Sequence, residues 1–170
     1  MGNVVLRESS INGTGVFAST AFKKGQPILK IDDTRVVTNQ DPLHPEDGEF
    51  EYHCDYLANG KVVLMQVPER HINHSCEPNT FVKTIHGFRY VFALREIPAG
   101  VEVTYDYCIN GFGDVVWECN CGSERCRHTI HSDFFHLPPD LQLEYLPLLD
   151  DWYLAEYEEK VLQLLRTASV

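Results

Sequence analysis

Three cysteines stand within eight residues of this chain, Cys119, Cys121 and Cys126 in a C-x-C-x4-C pattern, with Gly122 easing the turn between them. Thiolates so spaced can point at one tetrahedral metal, and zinc takes four such ligands in a closed structural site, at about 2.3 Å from each sulfur. The run supplies only three, so the fourth must come from elsewhere: Cys76, Cys54, Cys108 or a histidine such as His128. The polar neighbours Asn120, Ser123, Glu124 and Arg125 argue against cysteines merely packed in apolar surroundings. Met1 to Arg7 carries no secretory leader, and no run approaches the ~18 apolar residues of a membrane span. The chain is therefore expected to be soluble and intracellular, with six cysteines serving as metal ligands or free thiols rather than as a disulfide framework.

A second group of chemically capable residues is Arg70-His71-Ile72-Asn73-His74-Ser75-Cys76. Asn73 offers a side-chain amide for hydrogen bonding. A Ser-His pair here is not read as a hydrolase dyad, because nothing in the chain marks a third orienting residue or an oxyanion hole. Gly13 and Gly15 flank Thr14 just after Asn12, a turn in which the backbone can approach a ligand closely. Val101 to Tyr107 alternates as a strand does, with Val101, Val103, Tyr105 and Tyr107 on one face and Asp106 on the other.

The elements that must position these residues are mostly short strands. Val4-Leu6, Gly15-Ala18, Pro27-Ile31 and Thr34-Thr38 are strand-like runs, and Asp41 to Gly48 reads as a loop. Asn59-Gly60 and His86-Gly87 mark two hairpin turns, the second joining Phe81-Ile85 to Phe88-Leu94. Many short strands with few helices predict a mostly-β fold. After residue 136 the character changes. Pro138-Pro139-Asp140 can start a helix and Pro147 should interrupt it. Leu149, Tyr153, Tyr157, Val161 and Leu165 then form an amphipathic stripe expected to pack on the domain.

Four segments together resemble the SET-domain protein-lysine methyltransferases. Asn12-Gly13-Thr14-Gly15-Val16-Phe17 is similar to that family's G-x-G motif, and Arg70 to Asn79 to its R-x-x-N-H-S-C-x-P-N motif. Glu102-Val103-Thr104-Tyr105-Asp106-Tyr107 resembles E-L-T-[FY]-D-Y, and Cys119 to Cys126 matches the post-SET zinc motif. The resemblance implies small β-sheets around a pseudoknot, a post-SET zinc loop and a C-terminal helical segment. The corresponding divisions are a SET domain over 3–110, a post-SET segment over 115–130 and a helical extension over 137–166. It also implies that Cys76 is the fourth zinc ligand beside Cys119, Cys121 and Cys126. Two departures stand out: no cysteine-rich pre-SET region lies ahead of the motifs, and His128 occupies a position where glycine is usual.

The resemblance further implies transfer of a methyl group from S-adenosylmethionine to a lysine side-chain amine, with an inactive SET-type module that binds basic peptides as the alternative. Gly13, Thr14, Gly15, Phe17, Asn73, His74 and Tyr107 would bind the cofactor. Tyr107 would be the catalytic tyrosine, and Tyr105 would occupy the Phe/Tyr switch position, where a hydroxyl favours mono- or dimethylation. Trp117 and Ile130 are candidates for covering the cofactor. The formal charge of -11, from 25 acids against 14 bases, disfavours direct nucleic-acid binding and suits a lysine-containing basic protein or peptide, such as a histone tail. Glu49 and Glu51 are candidates to meet such a peptide, and Arg70 is expected to be a structural ion-pair partner.

Overall fold

The computed structural model of the chain describes residues 2–168, in which twelve short strands precede three helices. In chain order the strands are β1 (Val4–Glu8), β2 (Thr14–Ala18), β3 (Pro27–Lys30), β4 (Val36–Val37), β5 (Cys54–Tyr56), β6 (Val62–Leu64), β7 (Asn73–His74), β8 (Thr80–Ile85), β9 (Phe88–Ala93), β10 (Glu102–Tyr105), β11 (Val116–Glu118) and β12 (Thr129–His131). The helices are α1 (Pro139–Tyr145), α2 (Asp151–Glu156) and α3 (Glu158–Ala168). Four small sheets result, with orders β1-β2-β10-β7, β3-β9-β8, β4-β6-β5 and β11-β12. No helix among the described residues is long and apolar enough to cross a membrane.

Turn chemistry explains the hairpins. Asn59 and Gly60 have φ of 58° and 69°, and His86 and Gly87 have φ of 50° and 80°. Both pairs thus hold the left-handed backbone that lets a short loop follow the twist of its strands. The central sheet contains the pairing that matters for the site. Short β7 runs parallel to β10, with Asn73 opposite Thr104 and His74 opposite Tyr105. Two segments distant in sequence are thereby brought side by side at one sheet edge.

The core divides in two. Val16, Phe22, Ile72, Val91, Ile97 and Val103 fill the space between the sheets. Cys76, Ile109, Cys119, Phe134, Tyr145, Leu149 and Tyr153 form a second cluster, in which the C-terminal helices pack against the cysteine segment. Tyr105 touches both clusters.

The C-terminal helices follow the prolines as expected: α1 starts at Pro139, and Leu146–Leu148 forms a single 3₁₀ turn around Pro147. The expected stripe drifts. Leu149 and Tyr153 are fully buried, but Leu165 is 42% exposed and Leu164 is buried in its place. A four-residue repeat overshoots the 3.6-residue turn, and the helix also breaks at Tyr157 between α2 and α3. The strand expected over Val101 to Tyr107 ends at Tyr105, so Tyr107 sits in the following turn.

Candidate active site and metal centre

Asn73 ties the glycine turn to β10. Its side-chain amide donates to Asn12 O at 3.1 Å, to Thr14 O at 3.4 Å and to Glu102 Oε1 at 2.9 Å. The Glu102 carboxylate also accepts from Ser9 Oγ, at 2.8 and 2.9 Å. Gly15 makes this approach possible, since a Cβ there would lie 2.2 Å from Glu102 Oε1. Gly13 adopts φ +45° with open space beside it, leaving that side of the turn free for a ligand. Phe17 stands further along β2, with the Arg7 guanidinium 5.7 Å from its ring centre.

The two motif segments are laced by further bonds. Ser75 N donates to Tyr105 O at 2.9 Å, and Thr104 N to Asn79 Oδ1 at 2.8 Å. The Tyr107 hydroxyl donates to Ile72 O at 2.8 Å, and Tyr107 N donates to His74 Nδ1 at 3.2 Å. Because Nδ1 accepts, the neutral His74 ring carries its proton on Nε2, which lies 3.4 Å from Cys76 Sγ. Burial lowers the His74 pKa to about 4, so the ring is neutral near pH 7.

Tyr105 and Tyr107 open onto one cavity of about 250 Å³, whose wall includes Tyr56, Ile72, Phe112, Trp117 and Trp152. Tyr107 is 44% exposed as a residue, while its hydroxyl donates inward to Ile72 O and burial pushes its pKa up to about 12. Tyr105 donates to Ile109 O, and burial raises its pKa well above the usual phenol value. Both phenols are therefore neutral hydrogen-bonding groups near pH 7, not bases. Trp117 also meets His74 edge-on at 5.7 Å, beside the Tyr107 ring at 6.1 Å. Its cross-strand partner Ile130 is 1% exposed and belongs to the core.

The four sulfurs of Cys76, Cys119, Cys121 and Cys126 lie within 4.8 Å of one another. The Cys76 and Cys119 sulfurs are 3.8 Å apart. Tetrahedral zinc–sulfur bonds of about 2.3 Å require sulfurs about 3.8 Å apart, so the cluster fits such an ion. The other candidates for fourth ligand, Cys54, Cys108 and His128, are not part of this cluster, and Cys108 Sγ donates instead to His131 O at 3.0 Å.

A family model described as the SET domain matches residues 13–108. The chain belongs to the SET-domain family. Among its relatives, "Histone-lysine N-methyltransferase trithorax" of Drosophila virilis is 50% identical over 129 residues, covering 70% of this chain and 3% of that protein. Human "Histone-lysine N-methyltransferase 2B" is 47% identical over 135 residues, covering 72% of this chain and 5% of that protein. The chain thus spans only a few per cent of the length of these relatives. A crystal structure of a Plasmodium falciparum protein described as a histone methyltransferase superposes with a TM-score of 0.50 at 22% identity, covering 63% of this chain and 94% of that one. That likeness supports the fold alone.

Within this SET fold, several residues that the motifs do not assign to the site are connected to it. Asp106 is fully buried and pairs with Arg127, whose Nη2 donates to both carboxylate oxygens at 2.9 and 2.8 Å. The backbone N and the Nε of Arg127 each point at Cys76 Sγ at 3.4 Å. Arg127 thus joins the Y-D-Y segment to the cysteine cluster. The only sequence signal was its place directly after Cys126. Under the cavity, buried Arg89 holds Asp33 through two bonds, at 2.9 and 2.6 Å, and also pairs with Asp55. Two expectations are corrected. Glu49 is bound by Arg35 at 2.9 and 2.7 Å and is not free to meet a peptide. Arg70 has no carboxylate partner among the described residues and instead lines the cavity.

Proposed function

We propose that this SET domain transfers a methyl group from S-adenosylmethionine to the side-chain amine of a lysine in a basic protein, with a histone tail as the leading class. The observation that carries the reading is that Tyr105 and Tyr107 line one aromatic cavity, while His74 pairs with Tyr105 and Asn73 bonds to the glycine turn. We further propose domain divisions of 3–110, 115–130 and 137–166, with zinc held by Cys76, Cys119, Cys121 and Cys126.

S-adenosylmethionine supplies a methyl group already activated on a sulfonium, so the protein's work is placement and electrostatics. In this reading Gly13, Thr14 and Gly15 present backbone to the cofactor, Asn73 holds that turn in place, and His74 and Tyr107 border it. Phe17 supports the same strand from further along. The lysine must arrive neutral, although a free lysine has a pKa of about 10.4. Tyr56, Phe112 and Trp117 provide an apolar lining, and desolvation there favours the uncharged amine. The neighbouring carboxylates are already engaged, Glu69 by Asp32 N, Asp55 by Arg89 and Asp150 by Thr84. The Tyr107 oxygen can accept weak C–H···O contacts from the moving methyl and orient the amine lone pair. Bound S-adenosylmethionine would supply the methyl group and keep the electron pair of the broken S–C bond on sulfur, and the proton released from the methylated nitrogen would pass to solvent. Tyr105, with a hydroxyl at the switch position, restricts the product to mono- or dimethyl-lysine.

The test is methylation of a protein or peptide array with labelled cofactor, paired with calorimetry of S-adenosylmethionine binding. Lysine-dependent label incorporation is expected. Cofactor binding with no transfer to any lysine would mark an inactive binding module, and no cofactor binding at all would remove the enzyme reading.

A further inference from the structure

The turn after the Y-D-Y segment is fastened to the C-terminal helices. Asn110 adopts φ +62° and turns its side chain between two partners. Its Oδ1 accepts from Asp150 N at 2.6 Å, the residue that caps α2. Its Nδ2 lies 3.4 Å from the Tyr105 hydroxyl oxygen. The amide orientation is dictated by chemistry, because the Asp150 N–H can only be met by the oxygen end. The same hydroxyl donates to Ile109 O. One hydrogen and one lone pair are thus committed, leaving a single lone pair of Tyr105 for the cavity.

Asp150 is itself held rigidly. It is 0% exposed, its carboxylate accepts from Thr84 Oγ1 at 2.6 Å, and it caps Asp151 N at 2.8 Å. Next to Asn110, Gly111 O accepts from the Tyr153 hydroxyl at 2.8 Å, a second tie from α2. A continuous path runs from β8 through Asp150 and Asn110 to the oxygen that crowds the methyl-accepting space. Tyr105, Asn110 and Asp150 all line the cavity.

We propose that Asn110 is a positioning residue for Tyr105, and that through it the C-terminal helical segment limits how many methyl groups the site delivers. The inference rests on the lysine methyltransferase reading above. It assigns the helical extension a role in product selection in addition to packing.

Asn110→Asp is the informative variant, since it keeps an acceptor for Asp150 N–H at nearly the same shape but its carboxylate cannot donate to Tyr105. With saturating cofactor and a lysine peptide, mass spectrometry should find the ratio of higher to lower methylated product raised about fivefold, the factor one lost neutral hydrogen bond carries. Thr84→Val, outside the cavity wall, should move the ratio the same way by less and serves if Asn110→Asp fails to fold. In a Tyr105→Phe background, Asn110→Asp should change nothing further, as expected for two residues acting through one oxygen. An unchanged ratio in the folded single variants, or full additivity with Tyr105→Phe, overturns the proposal. If the unmodified protein methylates no lysine at all, it is the function reading that fails. The link is then judged by ¹⁹F NMR of 3-fluorotyrosine placed at position 105, whose resonance must shift in Asn110→Asp; a resonance that stays put overturns the link on its own.

Discussion

Tyr105 and Tyr107 are two residues apart and face the same cavity, yet the backbone gives them different work. Tyr105 ends β10 and packs against both core clusters, so its hydroxyl is fixed by its surroundings. Tyr107 lies in the next turn, is 44% exposed as a residue and lines the cavity, which an incoming group enters from solvent. Removing the Tyr107 hydroxyl removes its bond to Ile72 O and the oxygen nearest the proposed transfer path. Tyr107→Phe should slow methyl transfer about 100-fold, the scale of a lost placement, while calorimetric affinity for S-adenosylmethionine changes little. Undiminished transfer would take Tyr107 out of the chemistry. His128 invites a second experiment. It adopts φ +62°, a backbone region that favours glycine, which accounts for glycine being usual there. His128→Gly should raise stability by about 0.5 kcal/mol, relief of left-handed strain offset by glycine's greater freedom when unfolded, read as a small upward shift in thermal midpoint.

At the scale of elements, the cysteine loop and the paired β7 and β10 segments form one assembly. Cys76 follows the Asn73-His74 strand by two residues, and its sulfur is met by His74 Nε2 and by Arg127, which holds Asp106 of the Y-D-Y segment. A metal on the four sulfurs would fix Cys76, and with it the pairing of β7 and β10. Chelation should therefore weaken S-adenosylmethionine binding about tenfold by calorimetry, within the usual range of coupling between linked sites. Unchanged affinity in demonstrably metal-free protein would separate the two. These connections also mark the limit of what the sequence told. The hairpins at Asn59-Gly60 and His86-Gly87 were legible because turn chemistry is local. The cysteine set was legible because ligand spacing and a family motif both pointed to it. The pairs Asp106–Arg127, Arg89–Asp33 and Asn110–Asp150 were not, because each joins residues 21 or more positions apart and depends on the finished packing. Glu49 was misread for the same reason: its partner Arg35 is 14 residues away across the loop.

For the molecule as a whole, charge is the remaining lever. Its acids are not equivalent. Arg35 hydrogen-bonds Glu49 and holds its pKa at about 2 instead of the ordinary 4.5. A lowered folded-state value means that the unfolded chain binds the proton more readily, so this pair's stabilisation is present above pH 4.5 and is lost as pH falls from 4.5 toward 2. Acid titration of the fold should show that loss, and Glu49→Gln should flatten it; an identical acid profile in the variant would assign the loss to other carboxylates. Exposed acids set the outer field. Asp151 is 87% exposed, and Glu158 and Glu159 stand exposed at the start of α3, on the helical segment whose Asp150 and Trp152 wall the cavity. With a formal charge of -11, the long-range attraction for a basic peptide should exceed any single contact. The Debye length shrinks from about 30 Å at 0.01 M salt to about 8 Å at 0.15 M. Raising salt across that range should therefore raise KM for a lysine-rich peptide severalfold. It should leave kcat nearly constant, because the cavity is lined mainly by aromatic and apolar side chains whose contribution does not depend on salt. A KM for the basic peptide that does not respond to salt would mean that recognition is confined to the cavity, and that the acidity of the surface serves solubility alone.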